Sequence, residues 1–318
     1  MKQLSVSVVN KILEAEGIFS FELMSIDGKP LPPFTAGSHI DVHLPKGLVR
    51  QYSLCNDPTE QHRYLIAVLR DPGSRGGSVA MHDLINVGDL LQISEPRNHF
   101  GLVSAQRQLL LAGGIGVTPI LCMAEELSRA GRDFEMHYCS RAVERTAFKS
   151  RIEDSAFAGS VHFHYDVGPE PQKLDANRLL AHPAAGTHLY VCGPAGFIAH
   201  VLDTAKRCGW PDEQVHREFF AAVAVEHQAD GAFEVRVASS GQTYAVPADK
   251  TVIEILAAHG VDVPVSCESG VCGTCLTRVI DGTPDHRDVY LNDAEHAKND
   301  QFTPCCSRAR SPLLVLDL

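Results

Sequence analysis

The stretch CESGVCGTC, residues 267–275, places Cys267, Cys272 and Cys275 within nine positions, and a Cys305-Cys306 pair follows after 29 intervening residues. A C-x4-C-x2-C run with a distant fourth cysteine is the spacing of plant-type [2Fe-2S] sites. A cluster with bridging sulfides is bulky, so its loop must wrap it with thiolates pointing inward. Gly270 and Gly273 supply the backbone freedom this needs and let amide N–H groups approach the sulfurs. A structural zinc site would more usually show two C-x2-C knuckles, and the first spacing here is too long for one. Successive side chains of an extended segment point to opposite sides, so Cys305 and Cys306 cannot both face one cluster. Cys305, Cys267, Cys272 and Cys275 form the expected ligand set, with Cys306 a neighbouring thiol.

Three other stretches have the composition of anion and nucleotide sites. In DPGSRGGSV, residues 71–79, Gly73, Gly76, Gly77 and Arg75 precede a helix expected from about Ser78. Free N–H groups at a helix start bind phosphate, and Arg75, with Arg50 of RQYSL, could add charge-assisted bonds. In LLLAGGIGVTPIL a buried strand runs into Gly113, Gly114 and Gly116, then a helix beginning near Thr118–Pro119. That layout is a dinucleotide site, although G-G-x-G-x-T-P departs from the G-x-G-x-x-G fingerprint and lacks the lysine of a P-loop. YVCGPAGF repeats the strand–turn theme, placing Cys192, Gly193 and Pro194 at the sheet edge where open α/β folds bind ligands.

Three regions must position these residues. Up to about residue 103, short alternating runs (LSVSVV, FSFELM, HIDVHL, RYLIAVL, LLQIS) are separated by Gly, Pro and Asp, the pattern of an antiparallel barrel or sandwich. From about 107 to 220, strands such as FEMHYCS and HLYVCGP alternate with helical runs such as TPILCMAEELSRAG and AGFIAHVLDTAKRCG, which implies a parallel sheet with right-handed crossovers. Residues 221–232 have no period and read as a linker. FEVRVASSGQTYAVPA then reads as a hairpin and TVIEILAAHG as a helix stopped by Gly260.

The 318 residues carry 39 Asp+Glu and 28 Lys+Arg, net −11, which argues against a nucleic-acid partner. Residues 227–318 alone hold 13 acidic and 7 basic residues, a solvated face or a steering surface for a basic partner. No apolar run approaches bilayer length, and the N-terminus lacks signal-peptide features. A cytoplasmic protein without membrane attachment is expected. Ser140 and Arg141 could reach a ribose 2′-phosphate. His162 and His164 show no metal-ligand geometry, and Cys55, Cys122, Cys139 and Cys208 read as packing residues.

R-x-Y-S, then G-G-x-G-x-T-P, then C-G-P, then the cysteine loop, in that order, resembles the ferredoxin–NADP reductase superfamily. With the ferredoxin part last, and with SRGGSV, DHRD (285–288) and CCSRA (305–309), the chain resembles the phthalate dioxygenase reductase and vanillate demethylase reductase class. The resemblance implies an FMN-binding β-barrel over 1–103, an NAD-binding α/β domain over 104–226 and a β-grasp [2Fe-2S] ferredoxin domain over 227–318. It implies that Arg50, Tyr52 and Ser53 hold the flavin and that Arg75, Gly76, Gly77 and Ser78 take its phosphate. Thr118 and Phe220 match positions near the flavin. Gly114, Thr118, Cys192, Gly193 and Pro194 match the nicotinamide nucleotide site, with NADH preferred. Glu218 matches the superfamily's acidic residue near the flavin, so that Ser53, Cys192 and Glu218 form the expected catalytic group. Family members carry C-V-S-R-A, which aligns Cys305 as ligand and puts Cys306 in place of Val. The implied activity is NADH-dependent reduction of FMN and one-electron delivery to a terminal Rieske non-haem iron oxygenase, met transiently by a monomer. The rival expectations are a cytochrome P450 or separate ferredoxin as acceptor, and a non-enzymatic iron–sulfur sensor.

Overall fold

The computed structural model describes residues 3–71, 73, 76–168, 172–220 and 231–318. The chain divides into two compact units, Met1–Glu218 and Phe219–Leu318.

The first unit opens with β1 (Gln3–Ala15), β2 (Ile18–Ser25), β3 (Ser38–His43), β4 (Val49–Ser53) and β5 (Tyr64–Leu69). Helix α1 (Gly77–Leu84), β6 (Leu90–Ser94) and the short β7 (Arg97–Asn98) follow. The main strands pair in the order β4-β3-β6-β1-β2-β5, every contact antiparallel. The two end strands meet at a Leu54–Ile66 bridge, so the sheet curls into the expected barrel. Alternation decides what faces inward: Val6 and Val8 are fully buried, while the adjacent Ser5 and Ser7 are only partly covered. Lys11 ties α1 to this wall. Its ammonium donates to the carbonyls of His82 and Ile85, 2.7 Å each, satisfying acceptors left over at the helix C-terminus where a cation is favoured.

The parallel part comprises β8 (Arg107–Gly113), α2 (Val117–Arg129), β9 (Asp133–Ser140), α3 (Lys149–Glu153), β10 (Val161–Tyr165), α4 (Ala176–Leu180), β11 (Thr187–Cys192), α5 (Ala195–Arg207) and β12 (Val215–Glu218). Its order is β10-β9-β8-β11-β12. The chain winds one way from β8 through β9 to β10, then returns to the other side of β8 with β11. The crevice beyond the C-terminal ends of β8 and β11 is therefore the topological switch point. Helix α2 is apolar on nearly every face, with Val117 through Ala124 and Leu127 buried, because it lies inside the core that joins barrel and sheet. Cys55 and Cys122 sit in that shared core as packing thiols, with Cys122 Sγ donating to Asn56 O at 3.2 Å. Val103 N donates to the Tyr190 hydroxyl at 2.7 Å and Ala36 N to Glu126 Oε2 at 3.1 Å.

In the second unit, β13 (Phe233–Val237) and β14 (Thr243–Val246) form the expected hairpin, and α6 (Val252–Ala258) begins with a Thr251/Glu254 capping box. Then come β15 (Thr277–Asp281), β16 (Pro284–Asp285), α7 (Asp293–Lys298), β17 (Gln301–Phe302), β18 (Arg308–Ala309) and β19 (Leu313–Leu316). The five-stranded order is β14-β13-β19-β15-β17, with β13 and β19 parallel. A core of Phe233, Val235, Val246, Val252, Leu256, Val279, Phe302 and Leu314 packs α6 against the sheet in a β-grasp arrangement. Most of the expected linker, residues 221–230, lies outside the described residues.

Candidate functional site

The first cradle lies where β4 meets α1. Gly76, at φ +85°, occupies the N-cap position and supplies no side-chain cap. The helix therefore starts at Gly77, one residue earlier than Ser78, and its first amide groups are uncapped. The Ser78 hydroxyl instead accepts from Asp71 N at 3.2 Å. A Cβ on Gly77 would stand 2.4 Å from Arg50 Cγ and 2.7 Å from its Nε. The absent side chain thus lets the Arg50 stem lie across the helix start. Cation, helix dipole and free N–H groups converge there, a set that fits a flavin phosphate. Tyr52 lies on the same strand, its phenol pushed up by burial and drawn down by Arg50. Arg75 lies outside the described residues.

The second cradle is the switch-point crevice. Gly114 turns at φ +52°. A Cβ on Gly116 would meet Cys192 O at 2.3 Å and Gly193 N at 2.5 Å, and one on Gly113 would meet the Phe197 ring at 2.8 Å and Pro194 Cδ at 3.0 Å. The G-G-x-G and C-G-P turns therefore touch backbone to backbone. Helix α2 also begins without a side-chain cap, leaving amides for a pyrophosphate. Thr118 is buried in its first turn and donates to Ile115 O at 3.1 Å. Ser140, at the end of β9, is buried, with Oγ 2.6 Å from Thr146 Oγ1 and donating to Ala142 O.

Three expected catalytic residues come together between the cradles. Cys192 and Glu218 are direct partners in the β11–β12 register, and Ser53 Oγ donates to Glu218 Oε2 at 3.4 Å across 165 residues of sequence. Burial raises the Glu218 carboxyl to about 8, partly offset by the Ser53 hydrogen bond. Burial, and secondarily the Glu218 charge, push the Cys192 thiol up, so it is a neutral group. Phe220 belongs to the second unit and is 40% exposed. Phe197, packed over both glycine turns, was not anticipated; nothing distinguishes it in sequence from an ordinary helix residue.

The cysteine loop of the second unit turns through three left-handed residues, Glu268, Gly270 and Gly273. All four expected ligands are buried, Cys275 most deeply at 3% exposed. Thiol contacts with Cys272 and Cys305 hold Cys267 toward the thiolate, and Cys305 does the same for Cys275. Amides face the sulfurs: Ser269 N to Cys267 Sγ and Thr274 N to Cys272 Sγ, each 3.4 Å. Thr274 Oγ1, a contact not anticipated, lies 3.2 Å from Cys272 Sγ. Cys306 Sγ contacts the Cys305 thiol as well as Thr303 Oγ1, 3.2 Å away, and lies against Gly270. Four buried thiols in one chain of contacts, with N–H groups aimed at two of the sulfurs, fit a binuclear iron–sulfur cluster.

A barrel with a phosphate cradle, a parallel sheet with a glycine-lined switch point and a four-thiol β-grasp unit define a flavin- and nucleotide-dependent reductase with its own ferredoxin. Residues 235–310 match the 2Fe-2S iron-sulfur cluster binding domain family, and residues 100–215 match the dimethylamine monooxygenase subunit DmmA-like N-terminal domain. The chain is 60% identical over 307 residues to a vanillate O-demethylase oxidoreductase of Pseudomonas sp. (strain HR199 / DSM 7063), covering 96% of this chain and 97% of that one. It is 41% identical over 317 residues to phthalate dioxygenase reductase of Burkholderia cepacia, covering 99% and 97%. The solved structure of phthalate dioxygenase reductase, described as modular for electron transfer from pyridine nucleotides to [2Fe-2S], superposes with TM-score 0.79 at 40% identity over 99% of this chain and 98% of that one. A type IV self-sufficient cytochrome P450 monooxygenase gives TM-score 0.85 at 38% identity over 99% of this chain and 41% of that one. The chain belongs to the vanillate O-demethylase oxidoreductase and phthalate dioxygenase reductase family.

Proposed function

We infer that this protein is the reductase component of an oxygenase system, an NADH-dependent oxidoreductase using FMN and a [2Fe-2S] cluster. The observation that carries the reading is one chain holding both a glycine-lined nucleotide crevice and a buried four-thiol loop. A bound FMN would supply the conversion of two-electron hydride chemistry into one-electron chemistry suited to an iron–sulfur cluster. Arg50 and the α1 N-terminus, with Gly76, Gly77 and Ser78, are the proposed phosphate holders; Arg75 is added from the resemblance. Tyr52 and Ser53 are proposed to flank the flavin ring; Phe220 is added from the resemblance alone. Gly114, Thr118, Gly193 and Pro194 are proposed to fix the nucleotide, a positioning role in which small displacements matter. Glu218, held neutral to about pH 8, keeps a proton on its carboxyl beside Ser53 Oγ and is the proposed proton store of the site. Cys267, Cys272, Cys275 and Cys305 are the proposed iron ligands. Domain boundaries at 103/104 and 226/227 are proposed from the same resemblance.

The proposed partner is a terminal Rieske non-haem iron oxygenase, met transiently by a monomeric, cytoplasmic reductase. No helix among the described residues is long and apolar enough to cross a membrane. The acidic excess of residues 227–318 supports a charge-steered encounter. Oxygenase turnover measured against ionic strength tests this: activity should fall as salt screens the pair, and a flat profile removes charge steering. The similarity to a P450-fused chain keeps a haem acceptor as the second reading; reconstitution with each candidate acceptor decides.

A further inference from the structure

We propose that His286, Asp288 and His296 form a binding site for a divalent transition-metal ion, with zinc the best chemical match. These side chains lie in the second unit and are not among the proposed cluster ligands. The Asp288 side chain is fully buried, that of His286 is 9% exposed and that of His296 25%. Asp288 Oδ1 is 3.3 Å from His296 Nε2 and 3.8 Å from His286 Nδ1, and one ligand atom from each residue lies within 4.8 Å of the other two. Around a tetrahedral ion with bonds of about 2.0–2.2 Å, ligand atoms sit roughly 3.3–3.6 Å apart. The group is thus already close to coordinating dimensions.

The supporting contacts orient His286 and Asp288 toward a common point. His286 Nδ1 is buried and has no hydrogen-bond partner, an arrangement that calls for a missing ligand. The other ring nitrogen, Nε2, is 3.3 Å from Asn299 Oδ1. An amide oxygen only accepts, so Nε2 carries the hydrogen and Nδ1 presents its lone pair, as in metal-bound histidines. Asp288 Oδ2 accepts from Leu291 N at 2.8 Å, and Oδ1 accepts from His296 Nε2 at 3.3 Å, the bond an incoming ion would replace. The two rings are stacked at 4.3 Å and 23°. A carboxylate oxygen only accepts, so His296 Nε2 carries its hydrogen here; ligating the ion takes the other tautomer, with that hydrogen moved to Nδ1. Two imidazoles and one carboxylate suit zinc, with a fourth position left to water.

Occupancy would brace the cysteine loop. Val289 N donates to Gly270 O at 3.0 Å, and the Asp288 backbone packs directly on Gly270. An ion joining α7 to this segment therefore clamps it against the loop between Cys267 and Cys272. The site is independent of the redox reading.

Zinc chloride titrated calorimetrically into the iron-loaded full chain tests it. Wild type should bind a single zinc ion with cluster absorbance unchanged. His286→Gln and His296→Gln should each weaken binding at least about tenfold, the lower bound for disturbing even the supporting shell of a site. His296 is the more exposed of the two, so its variant is the one expected to fold unaltered. His162→Gln, which alters a separate histidine group beside Glu135, should bind as wild type does. No zinc uptake by wild type, undiminished affinity in His296→Gln, loss in His162→Gln, or bleaching of the cluster in step with zinc would each overturn the assignment.

Discussion

Gly116→Ala is the sharpest probe of the nucleotide crevice. Gly116 has an ordinary helical φ of −62°, so alanine there meets no backbone strain and only the space it occupies matters. Its Cβ would lie 2.3 Å from Cys192 O, 2.4 Å from Cys192 C and 2.5 Å from Gly193 N, all backbone atoms, where ordinary contact begins at 3.4 Å. The G-G-x-G turn must then part from the C-G-P turn by about 1 Å, a displacement able to cost about 10²-fold in rate when it falls on positioned reactants. Overpacking of this kind lowers stability by about 1–3 kcal/mol. The assay is NADH-driven ferricyanide reduction, which draws on the flavin, with kcat/KM for NADH as readout and thermal unfolding alongside. Gly196→Ala is the control, since a Cβ there meets nothing within 4 Å. Gly116→Ala should lose about a hundredfold in kcat/KM and Gly196→Ala little. A Gly116→Ala protein within about threefold of wild type, on the same scale, would refute the placing of the nucleotide at this crevice.

Two further outcomes follow from the separate sites. Cys272→Ser should abolish electron transfer to a protein acceptor while NADH–ferricyanide reduction largely remains; loss of both activities would contradict the division of labour. Glu218 gives a stability signature. Its carboxyl rises from 4.5 to about 8 on folding, so between those values the folded state holds a proton that the unfolded chain has released. Its contribution is therefore full below about pH 4.5 and lost as pH rises toward 8, the reverse of an ion-paired carboxylate. Tm should fall from pH 5 to 9 more steeply in wild type than in Glu218→Gln, and parallel profiles would mean that the carboxyl titrates normally.

What could be read from sequence was local. The cysteine loop and both glycine turns carry their chemistry within a dozen residues, and alternation in LSVSVV or helical spacing in TPILCMAEELSRAG identified the elements presenting them. Where backbone conformation decides, composition says less: Gly76 in the left-handed region takes the cap position of α1. Ser140 likewise spends its hydroxyl on Thr146, a choice set by how a turn packs. Long-range pairings left no trace. Ser53 and Glu218 meet across 165 residues, and only the resemblance brought Glu218 forward. Helix α7, six residues long, is too short to show a period, and the histidines it helps to gather around Asp288 are ten residues apart in sequence.

The central claim is that electrons enter as hydride at one end of this chain and leave singly through its own iron. Anaerobic titration of the reconstituted protein with NADH, followed by visible absorption and electron paramagnetic resonance, tests it directly. The account predicts that flavin and iron–sulfur absorbance both bleach and that the signal of a reduced [2Fe-2S] cluster appears without any added mediator. Bleaching of the flavin with a cluster that stays oxidised, or protein that takes up neither FMN nor iron on reconstitution, would contradict it.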